Sequence, residues 1–178
     1  MTDQDPKKIE NIEKEIELNP NNAEIWNNLG VAYRKKSDYY SAIECYERAI
    51  KLDPDRTELW NNLGDCYNNI NKNYKAIECF TKAIELDFNN SFAWNNLGMS
   101  YHGLKKYDEA IENYQKAIEL NPIMINAWNN LGTAYYDLGR VDKAIECYEK
   151  ALKINPKNSI VKNNLFQARE KYRQGTNK

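Results

Sequence analysis

The sequence predicts an all-α solenoid, a stack of antiparallel helix pairs. The phrase Trp-Asn-Asn-Leu-Gly occurs four times, starting at Trp26, Trp60, Trp94 and Trp128, always 34 residues apart. A fixed period of this size marks a repeat architecture. Within each period, apolar and small residues fall on two stretches with the 3.6-residue spacing of helices. The link between them, Lys36-Ser37-Asp38 in the first unit, is short and polar, so the two helices run antiparallel as neighbours.

The first helix of the first unit, residues 23–36, places Ile25, Trp26, Leu29, Gly30, Ala32 and Tyr33 on one side. The second, residues 39–52, does the same with Tyr39, Ala42, Ile43, Tyr46, Ala49 and Ile50. Leu52-Asp53-Pro54-Asp55 ends the unit, because a helix usually stops before a proline. The units are 23–56, 57–90, 91–124 and 125–158 of one repeat domain. Glycine inside a helix costs about 1 kcal/mol relative to alanine. Its retention at 30, 64, 98 and 132 implies that the partner helix passes too close for a side chain. Phe88 stands where the other units have proline, so the helix there either runs on or gains apolar surface.

The ends follow the same pattern in halves. Residues 5–20 align with a second helix through Ile9, Ile12, Ile16 and Leu18, but carry Lys8 and Glu15 where every full unit has alanine. Residues 159–173 align with a first helix and keep Val161, Leu165 and Ala168, which face the preceding unit. They lose the residues that would face a partner helix, with Lys162, Phe166 and Arg169 in those places. Polar outer faces on terminal units keep solenoids soluble, so both segments are expected to be caps of a complete small protein.

Each unit continues with residues equivalent to Tyr33, Ala42, Tyr46 and Ala49 and, except at Phe88, Pro54. The whole pattern resembles the tetratricopeptide repeat family over roughly residues 5–173. The resemblance implies a right-handed superhelix whose first helices line the concave inner surface.

Composition narrows the function. The 25 basic and 26 acidic residues leave a net charge of -1, which gives no electrostatic footprint for nucleic acid or a membrane surface. No apolar run approaches the roughly 20 residues of a membrane span. The start, Met1-Thr2-Asp3-Gln4-Asp5-Pro6, is polar and unlike a secretory signal, so a cytoplasmic location is expected. Cys45, Cys79 and Cys147 occupy one place in their units, about 10 Å apart if helices pack normally. That is beyond the roughly 7 Å reach of a disulfide. With Cys66 they are read as reduced helix residues, and a single histidine leaves no zinc ligand set. No phosphate loop, metalloprotease motif or nucleophile elbow is present. His102 has no Cys or Ser beside it by periodicity. The chain is therefore expected to need no cofactor or metal and not to be an enzyme.

The candidate site is the outward face of the first helices. At 100° per residue, Trp26, Leu29, Gly30 and Tyr33 face the core, and Asn27 and Asn28 flank the opposite side. Asn28, Asn62, Asn96, Asn130 and Asn164 thus stand in register, with Asn27, Asn61, Asn95 and Asn129 beside them. An asparagine amide can both donate to and accept from a peptide backbone. With rungs about 10 Å apart and a rise of about 3.3 Å per residue, one rung meets every third residue of an extended ligand. The row is similar to the asparagine ladder of the tetratricopeptide superhelix of O-GlcNAc transferase. The same asparagines also suit stand-alone repeats, where they satisfy neighbouring groups. Glu24, Glu58 and Asp65 make the first half of the groove acidic, tempered by Arg34 and Lys35, while Phe92 and Met99 make its middle apolar. Ile123-Met124-Ile125 is an unusual apolar run that either forms a contact surface or tucks into the helix joint. The lysines and arginine of carboxylate-clamp repeats are replaced by Asn27, Phe92 and Asn96, with Val31 in place of the clamp asparagine, which argues against that mode.

The expected function is a protein-interaction scaffold that holds an extended segment of another protein in the groove. Two alternatives stay open. One is a self-associating or purely structural solenoid, natural or engineered toward the family consensus; the other is a substrate-recruiting subunit of an enzyme complex.

Overall fold

The computed structural model describes residues 4–176, with side chains over 7–174. Met1-Thr2-Asp3, part of the start used to judge a leader, lies outside the described residues. Among these residues the chain is all helix and turn, ten helices with no strand. The first compact unit ends at Phe88 and the second begins at Asn89.

The first unit holds α1 (Gln4–Leu18), α2 (Ala23–Lys35), α3 (Tyr39–Leu52), α4 (Thr57–Asn69) and α5 (Asn73–Leu86). The second holds α6 (Ser91–Gly103), α7 (Tyr107–Leu120), α8 (Ile125–Asp137), α9 (Val141–Ile154) and α10 (Ser159–Thr176). Within each unit every helix packs on its neighbour in the chain. First helices also touch across repeats, α2 with α4, α6 with α8, and α8 with α10. α5 stops at Leu86, in step with α3 and α7, so the missing proline does not lengthen it; Phe88 is exposed.

Each helix pair is held by the small-for-large exchange that the sequence implied. A Cβ added to Gly30 would lie 2.7 Å from the Tyr46 ring, and one on Gly64 would lie 2.8 Å from Phe80. Gly98 and Gly132 stand equally close to Tyr114 and Tyr148. The close approach is thus made by an aromatic ring of the partner helix, and Gly98 also has the Ala110 carbonyl 3.1 Å away. Tyr46, Phe80, Tyr114 and Tyr148 are almost fully buried by it.

The turns inside the pairs share one geometry. Ser37, Asn71 and Lys105 have φ of 61°, 58° and 59°, and Gly139 has φ of 81°. The amide one residue later reaches back to the helix, as from Asp38 to the Tyr33 carbonyl at 3.0 Å and from Arg140 to that of Tyr135 at 2.8 Å. This is the Schellman helix end, which satisfies orphan carbonyls. Only the fourth turn uses the residue that enters the left-handed region freely.

The pattern tryptophans do more than fill core. All four are half-buried, and Trp26, Trp60 and Trp128 donate their indole N–H to the carbonyls of Pro20, Pro54 and Pro122 at 2.7–2.9 Å. Each indole thereby fixes the loop that enters its helix. A second recurrent tie joins adjacent repeats twenty residues apart. Tyr33 donates to Glu13 at 3.1 Å, Tyr67 to Glu47 at 2.8 Å, and Arg169 to Glu149 at 2.8 Å.

The end helices have the expected one-sided character. Lys8 and Glu15 are exposed while Ile9 and Ile12 are buried, although Leu18 is 80% exposed. In α10, Val161, Leu165 and Ala168 are buried and Lys162, Phe166 and Arg169 are exposed. Of the apolar run at the third junction, Met124 is buried and Ile123 is exposed, so the run divides between core and surface.

Candidate functional site

The asparagines form bonded pairs between successive first helices. Asn62 Nδ2 in α4 donates to Asn27 Oδ1 in α2 at 3.3 Å. In the second unit Asn130 donates to Asn95 Oδ1 at 3.0 Å, and Asn164 to Asn129 Oδ1 at 2.9 Å. In these three pairs the second asparagine of one repeat donates to the first asparagine of the repeat before it. This pairing fixes the amide orientations. The carbonyl oxygens and one N–H of Asn62, Asn130 and Asn164 have no partner within these pairs.

The two flanks of the stripe are not equivalent. Asn27 is 3% exposed and Asn95 is 4% exposed. They lie between helices rather than on an open floor, contrary to the sequence expectation for both. Asn27 donates to Glu58 at 3.3 Å, and Asn95 donates to Asn96 Oδ1 at 3.1 Å and to the Met99 sulfur at 3.7 Å. Asn61, Asn62, Asn96, Asn129, Asn130 and Asn164 are half-buried, and Asn28 is exposed. Phe92 is 64% exposed and Met99 is 45% exposed, both on α6.

The acidic half of the groove is not acidic in effect. Arg56, in the loop before α4, pairs with both Glu24 and Glu58. Arg34 Nη1 lies 3.0 Å from Asp65 Oδ2. Burial pushes the Asp65 carboxyl upward, and the Arg34 guanidinium opposes that shift. All three carboxylates therefore have a guanidinium partner: Arg34 tempers Asp65, and Arg56 adds the same effect at Glu24 and Glu58. Arg56 was missed because helical periodicity does not place a loop residue on a helix face.

In the second unit, His102 Nε2 lies 2.9 Å from Asp137 Oδ2, tying α6 to α8. Two cavities open on this face on either side of Thr133. One, of about 200 Å³, is lined by Met99, His102, Gly103, Tyr114, Asn130 and Thr133. The other, of about 270 Å³, is lined by Thr133, Tyr136, Asp137, Tyr148, Asn164 and Gln167. Thr133 Oγ1 bonds the Asn129 carbonyl at 3.0 Å and lies 3.2 Å from Tyr148 Oη. Helical periodicity puts Thr133, Asp137 and Gln167 on one face with the asparagines, but it does not show that a short side chain at 133 leaves room beside it.

The four cysteines are free thiols and buried. Burial pushes each thiol up to about 12. No group of acidic, Cys or His side chains among the described residues has the arrangement of a metal site, and no described helix is long and apolar enough to cross a membrane.

The tetratricopeptide repeat family model matches residues 23–56, 57–90, 91–123 and 125–158. No curated protein matches the chain. A crystal structure of MamA is 31% identical over 85% of this chain and 88% of its own, with a TM-score of 0.78. A segment of MamA from Desulfovibrio magneticus RS-1 is 20% identical, covers 88% of this chain and 89% of its own, and has a TM-score of 0.81. YrrB, described as a TPR protein with an unusual peptide-binding site, is 24% identical over 90% of this chain and 82% of its own, with a TM-score of 0.76. The last two likenesses speak to the fold alone. Proteins built from these repeats serve as protein-interaction scaffolds. With four matched repeats and helix pairs of this geometry, the chain belongs to the tetratricopeptide repeat family.

Proposed function

We propose that the chain is a non-enzymatic interaction scaffold in the cytoplasm that holds an extended peptide segment of a partner protein on the faces of its first helices. The observation that carries this reading is the set of oriented amides. Asn62, Asn130 and Asn164 each spend one N–H on the preceding repeat. The remaining N–H and the carbonyl of each amide match the C=O and N–H of a ligand backbone. Each such bond is worth about 0.5–1.5 kcal/mol net, and a row of them binds a main chain with little regard to its side chains. YrrB, alike in fold, is described as having an unusual peptide-binding site, and a peptide is the class of ligand proposed for this chain. The carboxylates of the first unit are paired with Arg34 and Arg56, so the apolar contribution of Phe92 and Met99 carries more of the selectivity.

The test is to replace Asn62, Asn96 and Asn130 together by Ala and to measure thermal stability and capture of partners from native extract. Lost capture with the fold intact supports the scaffold reading. Lost stability with capture unchanged favours the structural alternative, in which the amides only join repeats.

A further inference from the structure

Resting on that reading, we propose that the second unit reads its ligand in polyproline II conformation, with a three-residue register: an aliphatic side chain in the cavity between α6 and α8, and a hydrogen-bond-donating amide or hydroxyl side chain three residues away in the cavity between α8 and α10. The spacing comes first. Successive first helices pack about 8–10 Å apart, here in contact through the Asn130–Asn95 and Asn164–Asn129 bonds. A β-strand returns its side chains to one face every second residue, about 6.8 Å apart. A polyproline II chain has three residues per turn and a rise of about 3.1 Å, so its side chains return about 9.3 Å apart. Only the second matches one cavity per helix gap. Such a chain also makes no internal hydrogen bonds, which leaves its N–H and C=O groups free for Asn130 and Asn164.

The linings assign the side chains. Between α6 and α8 the walls are the Met99 thioether and the Tyr114 ring, and Gly103 has no side chain to close the space. A cavity of about 200 Å³ with these walls takes an aliphatic group. Between α8 and α10 the lining is rich in acceptors: Asp137, Tyr148, Asn164 and Gln167. A lysine or arginine is disfavoured there because Lys171 Nζ already sits 4.1 Å from the Tyr136 ring centroid. A neutral donor meets the acceptors without a second cation. Thr133, shared by both cavities, is the specificity-determining residue.

The test is to pan a phage-displayed library of random twelve-residue peptides on the full chain and on Thr133→Met. Methionine already occupies the equivalent place in the preceding repeat, at Met99. Enriched peptides should carry an aliphatic residue with Asn, Gln, Ser or Thr three positions away. Thr133→Met, whose longer side chain takes space at the shared wall of the two cavities, should weaken such a peptide about tenfold or more while the chain still folds. Should Thr133→Met unfold the chain, Thr133→Ala serves instead and should shift the selected aliphatic residue toward larger ones. Enriched peptides with two-residue spacing, or unaffected by either variant, overturn this inference and leave the scaffold reading intact. No enriched peptide at all overturns both.

Discussion

The bond from Asn130 to Asn95 can be weighed by a double-mutant cycle. Asn95→Ala removes the acceptor of that bond and the donor to Asn96 and Met99. The two amide–amide bonds at about 0.5–1.5 kcal/mol each give a loss of about 2 kcal/mol, to which the weak contact with the Met99 sulfur adds little, and the better helix propensity of alanine returns about 0.5 kcal/mol. Asn130→Ala removes one bond but leaves Asn95 Oδ1 without its donor at a site only 4% exposed. A buried acceptor left unpaired costs about 1–3 kcal/mol. Both single variants should therefore lose about 1–2 kcal/mol, read as about 2–8 °C in melting temperature for a chain of this size. The double variant should lose less than their sum, with a coupling of about 1 kcal/mol. Urea unfolding followed by circular dichroism gives all four corners of the cycle. Additivity within about 0.3 kcal/mol would refute the claim that these amides join successive repeats.

Further outcomes follow from the packing. Gly98→Leu should destabilise by about 1–3 kcal/mol or more by overpacking, because even a Cβ there would be 2.7 Å from the Tyr114 ring; an unchanged melting curve would contradict the close approach. Lys105→Gly should stabilise the chain by up to about 1 kcal/mol and Gly139→Ala should cost about as much, since both residues hold positive φ and the latter's Cβ would meet nothing; thermal melts of the pair check the sign. The cysteines, pushed up to about 12 by burial, should resist a thiol reagent at pH 8 until the chain unfolds. Reductant and chelator should leave the melting temperature unchanged, and a fall of several degrees with either would overturn that reading.

The fold was legible because one signal, the period set by Trp26, Trp60, Trp94 and Trp128, fixed the helix pairs and their order together. The glycine contacts were legible as a need for space but not as an aromatic ring, since no periodicity says which residue of the partner helix arrives. The left-handed turns at Ser37, Asn71 and Lys105 were hidden because only Gly139 betrays that backbone in its letters. The site was legible as a row of amides and not as a network. A bond between residues 35 apart, such as Asn164 with Asn129, depends on how two helices meet. The same holds for Arg56, whose loop position lets it reach Glu24 and Glu58 on different helices.

The central claim is that the amides of the first helices hold a ligand backbone. The side-chain NH2 signals of asparagine in an 15N-labelled sample report on it directly while a captured or library-selected peptide is titrated in. The account predicts saturable shifts at Asn62, Asn130 and Asn164 with Asn27 and Asn95 little changed. Binding that shifts only residues of the second helices, and none of these amides, would contradict it.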